Sequence, residues 1–472
     1  MFLKLIVAIF ILLVAAPFSV MAAKMSIAPD RMTVVDGRRV FILGLYETPK
    51  SDADLDRVAE AGFNLVCAGV KTQVLDRLSQ RGLWAWAHTG HCIDFSKDVE
   101  NREKQLITLI RQMGAHPATL VWEVPDEALW NIWWNAHLWR EEQEPQQQSK
   151  LIDALTNSVL TAQLRQDMRQ VRLLRHTGEY ADSERLADSI WTKLGKEAPK
   201  PGYGYANAPE RQAQLCSGMV AGYKKLKEID ADHPVWMNHA PRNQLTQLTA
   251  FNEGADIVGC DIYPVPFSPN VGHSDLVERS LAAVGAYTAR MQQSAPGKPV
   301  WMVLQGFGWA DLRTNPSEEV RRDLRRPTLQ ESRFMAYDSI VRGARGLLYW
   351  GTSYIEKDSQ LWKDLLILGQ ELKLMQPVLS SHDAQINFKV THEETAGSVE
   401  RTIQVLPKQV DDKVWFLVVN EPTESLTYTI HGLDKLNGIT YFEKDSGKKN
   451  TVSNGKLKFT IAGQKVHVLK PE

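Results

Sequence analysis

Cysteine is scarce in this chain, with four in 472 residues, no CxxC and no metal-like spacing. A cysteine-built metal centre is thereby excluded. Cys67 and Cys92 are close enough in sequence to bridge across neighbouring elements in an oxidising compartment. The other reading makes them, with Cys216 and Cys260, buried thiols acting as small apolar side chains. Net charge is equally lacking, at −1 from 55 Lys and Arg against 56 Asp and Glu. Nothing in that balance favours nucleic acid or an anionic membrane surface as a partner. No apolar run after residue 23 approaches the length of a membrane-spanning helix. No glycine-rich phosphate loop follows the first predicted strand, which argues against a doubly wound nucleotide-binding sheet. Internal repeats and low-complexity tracts are also absent.

What is present begins at the N-terminus. Lys4 precedes an apolar run, Leu5 to Phe18, followed by Ser19-Val20-Met21-Ala22-Ala23. A positive start, a short apolar core and small residues at the cut predict a cleaved secretory signal over residues 1–23. The mature protein is then expected in the periplasm or outside the cell, away from the membrane. No cysteine follows the run, which argues against a lipoprotein.

Between Phe41 and Trp350 short apolar runs alternate with amphipathic stretches. Phe41–Tyr46, Phe63–Ala68, Leu83–His88, Thr119–Val124, Val235–His239, Ile257–Tyr263, Pro299–Gln305 and Gly346–Trp350 read as strands. Helical periodicity fills the gaps, as in Asp52–Ala61, Glu100–Met113, Gln212–Glu228, Leu276–Gln292 and Leu329–Arg342. Unbroken apolar strands suit a parallel sheet covered on both faces. Strand–helix alternation repeated eight times predicts a (β/α)8 barrel over residues 24–377. One connection, residues 131–208 after the fourth strand, is far too long. It predicts a helical insertion that either walls the pocket or never touches substrate. Past Pro377 the runs turn short, β-branched and alternating, which predicts a small β-sandwich over 378–472.

Barrels place chemistry at the C-terminal ends of their strands. Here those ends carry Tyr46-Glu47, His88-Thr89-Gly90-His91, Glu123-Val124-Pro125-Asp126-Glu127, Asn238-His239, Asp261-Ile262-Tyr263-Pro264, Gln305-Gly306-Phe307-Gly308-Trp309 and Tyr349-Trp350. Carboxylates, amides and aromatic faces suit a sugar, and the near absence of Lys and Arg does not suit phosphate. The most telling stretch is Trp122 to Trp130, where an apolar strand runs into carboxylates beside tryptophans. Buried carboxylates need partners or a task.

In these features the chain resembles clan-A-type glycoside hydrolases, including bacterial hydrolases with an Asp-Glu pair after strand four. The shared order is Gly44-Leu45-Tyr46, then Asp126-Glu127, then Asp261-Ile262-Tyr263-Pro264, then Gly343-Ala344-Arg345-Gly346-Leu347-Leu348-Tyr349. The resemblance implies that a strand-four carboxylate is the general acid/base, matched best by Glu127. It also implies a strand-seven glutamate nucleophile, and there this chain has Gln305, which cannot form a glycosyl ester. A second carboxylate must then come from elsewhere, with Asp261 favoured over Glu47 and Glu123. An inverting or substrate-assisted route, or sugar binding without cleavage, are the alternatives. Asp126 either orients Glu127 as part of the catalytic group or caps the following helix. Tyr46, Glu47, Trp122, Asn238, His239, Tyr263, Gln305, Trp309 and Trp350 are the expected substrate-binding residues. Trp130, Trp133 and Trp134 fall at helical spacing and read mainly as helix packing. His88 and His91 lack a third ligand, so no metal and no cofactor are expected. The expected partner is an oligo- or polysaccharide.

Overall fold

The computed structural model describes residues 23–267, 280–393 and 401–472. The expected signal, apart from Ala23, and the start of the expected helix Leu276–Gln292 lie outside the described residues. A closed parallel barrel forms the centre of the fold. Its strands are β1 (Ile42–Leu45), β2 (Leu65–Gly69), β3 (Trp84–His88), β4 (Thr119–Glu123), β5 (Val235–His239), β6 (Ile257–Ile262), β7 (Trp301–Gln305) and β8 (Gly346–Trp350). They pair in chain order, and β8 closes on β1 with Leu347 opposite Leu43. The (β/α)8 expectation therefore holds. Three short antiparallel strands, Met25–Ile27, Thr33–Val35 and Arg38–Val40, lead into β1.

The barrel is filled by large aromatic side chains rather than by small aliphatics. Tyr46, just past β1, lies edge-on to Trp86 of β3 at 5.1 Å and to Trp236 of β5 at 5.6 Å. Trp236 in turn meets Trp301 of β7 at 6.3 Å. Odd-numbered strands thus supply one packed layer, as barrel geometry requires. Space for the Trp301 indole comes from Gly346 on β8, where a Cβ would stand 2.6 Å from that ring.

The long connection after β4 is helical. Helix Ala128–His137 passes through a widened π turn, Leu138–Gln143, into helix Glu144–Asp153. Helices Ser158–His176 and Tyr180–Lys193 follow and pack through Ile152, Leu164, Met168, Val171, Ala187 and Ile190. Arg140 is buried beside that core and donates to Glu144 at 2.8 Å and Asp188 at 2.9 Å. Trp191 donates to the same Glu144 at 2.9 Å. The chain then returns to the barrel as helix Ala208–Ile229. Gly222 of that helix touches the loop after β3, since a Cβ there would lie 1.8 Å from the Ile93 carbonyl oxygen.

After the barrel, two antiparallel sheets stack as a sandwich. One orders His382–Asp383, Ile403–Val410, Lys413–Asn420, Val466–Pro471, Thr440–Glu443 and Lys449–Thr451. The other orders Lys389–His392, Leu426–His431 and Lys456–Ile461. Phe416, Tyr428, Tyr441 and Leu457 fill the space between them. Leu417, Val419, Val466 and Val468 instead join the barrel's core, so the larger sheet is glued to the barrel by its outer face. All four cysteines are free thiols. Cys67 approaches His88 at 3.0 Å and Cys92 donates to the Thr89 carbonyl at 2.7 Å, so of the two readings the free thiols hold and the bridge does not form.

Candidate active site

Strand β4 ends at Glu123, and Val124-Pro125-Asp126 carry the chain into a turn. Glu127 sits in the left-handed region, φ 48 and ψ 32, directly before helix Ala128–His137. A side chain with a Cβ meets a penalty of about 1–2 kcal/mol in that conformation. The turn brings the carboxyls of two adjacent residues into one site, which extended chain would point apart. Glu127 is the residue that precedes the helix, so Asp126 is not its cap. The capping expectation for Asp126 therefore fails. Instead Asn238 of β5 donates to the Asp126 carboxyl at 2.9 Å.

The same amide reaches Asp261 of β6 at 3.4 Å. Asp261 is almost fully buried and hydrogen-bonds Glu127. Burial, followed by the charges of Asp261 and Asp126, holds the Glu127 carboxyl well above the usual carboxylate range. Asp126 is pushed up to about 7 by burial first, then by Glu123 and Asp261, with Asn238 opposing. As a residue Asp126 exposes surface to solvent. Its bond to the buried Asn238 shows that the carboxyl faces inward.

Glu123 lies one step deeper. Its carboxylate accepts from the Trp86 indole at 2.9 Å and pairs with His88 at 2.8 Å. Burial opposes charge on His88, but the contacts with Cys67 and Glu123 outweigh it and raise its pKa to about 11. His88 is therefore a cation at neutral pH and neutralises the innermost carboxylate. Tyr46 roofs this group, its hydroxyl held un-ionised by burial and by the Glu123 and Asp126 charges. Among the described residues, the Tyr46 hydroxyl, Glu123 Oε1 and Asn238 Oδ1 are buried without a hydrogen-bond partner.

An aromatic wall faces the carboxylates. Tyr263 stacks on Trp350 at 5.5 Å and 20°, and Trp309 lies 6.3 Å from Tyr263. The remaining predicted residues lie elsewhere. Trp122 points outward and donates to Asp230 at 2.8 Å. His239, next to Asn238 on the strand, also points outward and bonds Asn252 at 2.8 Å. Burial lowers the His239 pKa to about 4, so it is neutral. Glu47 is bound by Lys357, which also donates to the Thr352 carbonyl at 2.7 Å. Gln305 is fully buried, accepts from Val265 N at 2.9 Å, and donates to the Val265 and Phe307 carbonyls at 2.6 and 3.1 Å. It pins the loop after β6 and leaves no amide group for substrate.

Sequence reasoning missed the roles of His88 and Trp86. Their alternation in Trp84-Ala85-Trp86-Ala87-His88 places them on one face, and the register sets His88 beside Glu123. That pattern was the available signal. No group of three or more potential ligands able to hold a metal occurs among the described residues.

No protein-family model and no curated protein matches the chain. Solved structures do. A catalytic mutant of Gan42B, a GH42 beta-galactosidase from G. stearothermophilus, matches with a TM-score of 0.53 at 11% identity, over 92% of this chain and 98% of that one. A beta-galactosidase from Bacillus circulans sp. alkalophilus matches with a TM-score of 0.50 at 10% identity, over 92% and 99%. In fold, the chain resembles clan-A-type glycoside hydrolases along nearly its whole length.

Proposed function

We propose that this protein is an exported glycoside hydrolase in which Glu127 is the general acid and Asp261 the partner carboxylate. The observation that carries the reading is the hydrogen-bonded Glu127–Asp261 pair at the C-terminal mouth of the barrel. A general acid must be protonated when substrate arrives, and the raised Glu127 pKa supplies that state at neutral pH. The two carboxyls approach closely enough to interact as a hydrogen-bonded pair. Retaining glycosidases hold the pair about 5 Å apart, whereas inverting ones need about 6.5–9.5 Å. The arrangement thus favours retention. Asp261 attacks the anomeric carbon as Glu127 protonates the departing oxygen. Glu127 then deprotonates the water that releases the sugar from Asp261. Asp126 and Asn238 orient this pair, and Tyr46 and the Tyr263–Trp350 wall offer a hydroxyl and apolar faces to the ring.

The test is hydrolysis of a panel of aryl glycosides and linear oligosaccharides, with product anomers followed by NMR. Wild type is expected to release product with retained configuration. Glu127→Gln is expected to lose at least about 100-fold in rate while remaining folded. Full activity in Glu127→Gln would remove it from the acid role, and inverted product would move Asp261 from nucleophile to base.

A second reading is favoured by Gln305, whose hydrogen bonds are all internal and whose strand end carries no carboxylate. It makes the barrel a sugar-binding protein without turnover, and binding with no product from any panel member would support it. Export rests on Lys4, the Leu5–Phe18 run and the Ala22-Ala23 site. Cleavage at either alanine leaves the strand Met25–Ile27 whole, and N-terminal sequencing of the mature protein checks it.

A further inference from the structure

The tryptophans of helix Ala128–His137 do not pack into a core. Trp134 is 38% exposed, and Trp130 and Trp133 are each partly exposed. Leu129, Ile132 and Ala136 supply the buried face of this helix instead. Three indoles at one surface are an apolar patch that a soluble protein seldom keeps without use.

They are also ordered. Trp130 and Trp134 lie 6.2 Å apart at 24°, and Trp134 and His137 lie 5.1 Å apart at 19°. Those separations exceed the roughly 3.5–4.0 Å of close carbon contact. The near-parallel rings are therefore slid past one another and leave part of each toward solvent. Arg242 closes one end of the row, 4.7 Å over the Trp130 ring. Tyr205 bonds His137 at 3.2 Å at the other. Opposite the row stand Asn243, Gln244 and Gln247, and together they bound a groove of about 700 Å³. Seven residues of helix span about 10 Å, enough for more than one sugar ring.

The groove and the carboxylates are neighbours along the chain. Glu127 and Trp130 belong to the same helical turn, and Asn131 donates to the Asp126 carbonyl at 3.0 Å. On the other side, Asn238 near the end of β5 and Arg242 in the loop that follows are four residues apart. An apolar ribbon faced by amides and a guanidinium matches a sugar chain. The C–H faces of its rings bury against indole, and its hydroxyls meet the polar wall.

We propose that this groove is a binding subsite for successive residues of a linear oligo- or polysaccharide, with Trp134 as its main platform. The natural substrate is then a chain rather than a disaccharide. The proposal rests on Glu127 and Asp261 marking the point of cleavage.

Cellohexaose, xylohexaose, β-1,4-galactohexaose, chitohexaose and maltohexaose are titrated against the full chain, each beside its disaccharide. Calorimetry reads affinity and chromatography reads cleavage. At least one hexaose is expected to bind about tenfold more tightly than its disaccharide. Trp134→Ala is expected to remove that advantage and leave disaccharide affinity unchanged, and Trp134→Phe to restore most of it. Equal hexaose affinity in wild type and Trp134→Ala overturns the subsite. So does a failure of every hexaose to bind, as does a dimer in sedimentation that Trp134→Ala dissolves while hexaose affinity stays unchanged. Chain binding lost in Trp134→Ala, with no cleavage of any probe by wild type, upholds the subsite and removes the hydrolase. Cleavage indifferent to Trp134→Ala does the reverse.

Discussion

At the scale of single residues, the site stores its reactivity as charge held off by burial. Glu127 binds its proton more tightly folded than unfolded, where its pKa is the ordinary 4.5. Stability tied to that proton is therefore present below about pH 4.5 and is lost as pH rises toward the folded value. Glu127→Gln removes the dependence. Thermal unfolding at about pH 5, 7 and 9 is expected to show the variant pulling ahead of wild type as pH rises, by on the order of 1 kcal/mol at neutrality. A constant gap would mean that Glu127 titrates normally. Gln305 invites the opposite experiment. Gln305→Glu recreates the strand-seven carboxylate of the resembled family but aims it at the Val265 and Phe307 carbonyls, which Gln305 now satisfies. A buried charge facing two acceptors is expected to destabilise by about 3 kcal/mol or more and to add no activity. Denaturant midpoint and rate, measured together, check both parts.

At the scale of elements, position is set by turns and close approaches rather than by strands alone. Gly222 lets helix Ala208–Ile229 lie against the backbone of the loop that follows β3, near Ile93. Gly222→Ala is expected to lift the helix, destabilise by about 1–3 kcal/mol, and weaken turnover by shifting the β3 end that carries His88. Loss of stability with kinetics intact would confine Gly222 to packing. The strands and most barrel helices were legible because apolar runs and helical periods report burial directly. The left-handed turn at Glu127 was not, because no glycine or asparagine marks it. For the same reason Asp126 read equally as cap or site. Adjacent strand residues carry the sharpest lesson. Asn238 and His239 read alike in sequence, yet alternation sends one into the mouth and the other to Asn252. Trp122 shares that fate, since the inward register of β4 belongs to Glu123.

At the scale of the whole molecule, barrel and sandwich are joined by more than apolar contact. Arg345 pairs with Asp383 at 2.6 Å, and Lys408 meets the same carboxylate at 2.9 Å. Arg342 of the last barrel helix turn donates to Glu421 at 2.8 Å. Such buried pairs hold orientation more than they add stability. Sequence composition announced the sandwich through its alternating β-branched strands, but it could not show that Leu417 and Val468 face the barrel, because both faces of that sheet are apolar.

The helical excursion after β4 has a core of its own, in Ile152, Leu164, Met168, Val171, Ala187 and Ile190, and its own buried Arg140–Glu144 pair. It is a packing unit distinct from the barrel beneath it. Its outer turns can change in sequence while the barrel beneath keeps its register, because their buried contacts stay within the excursion.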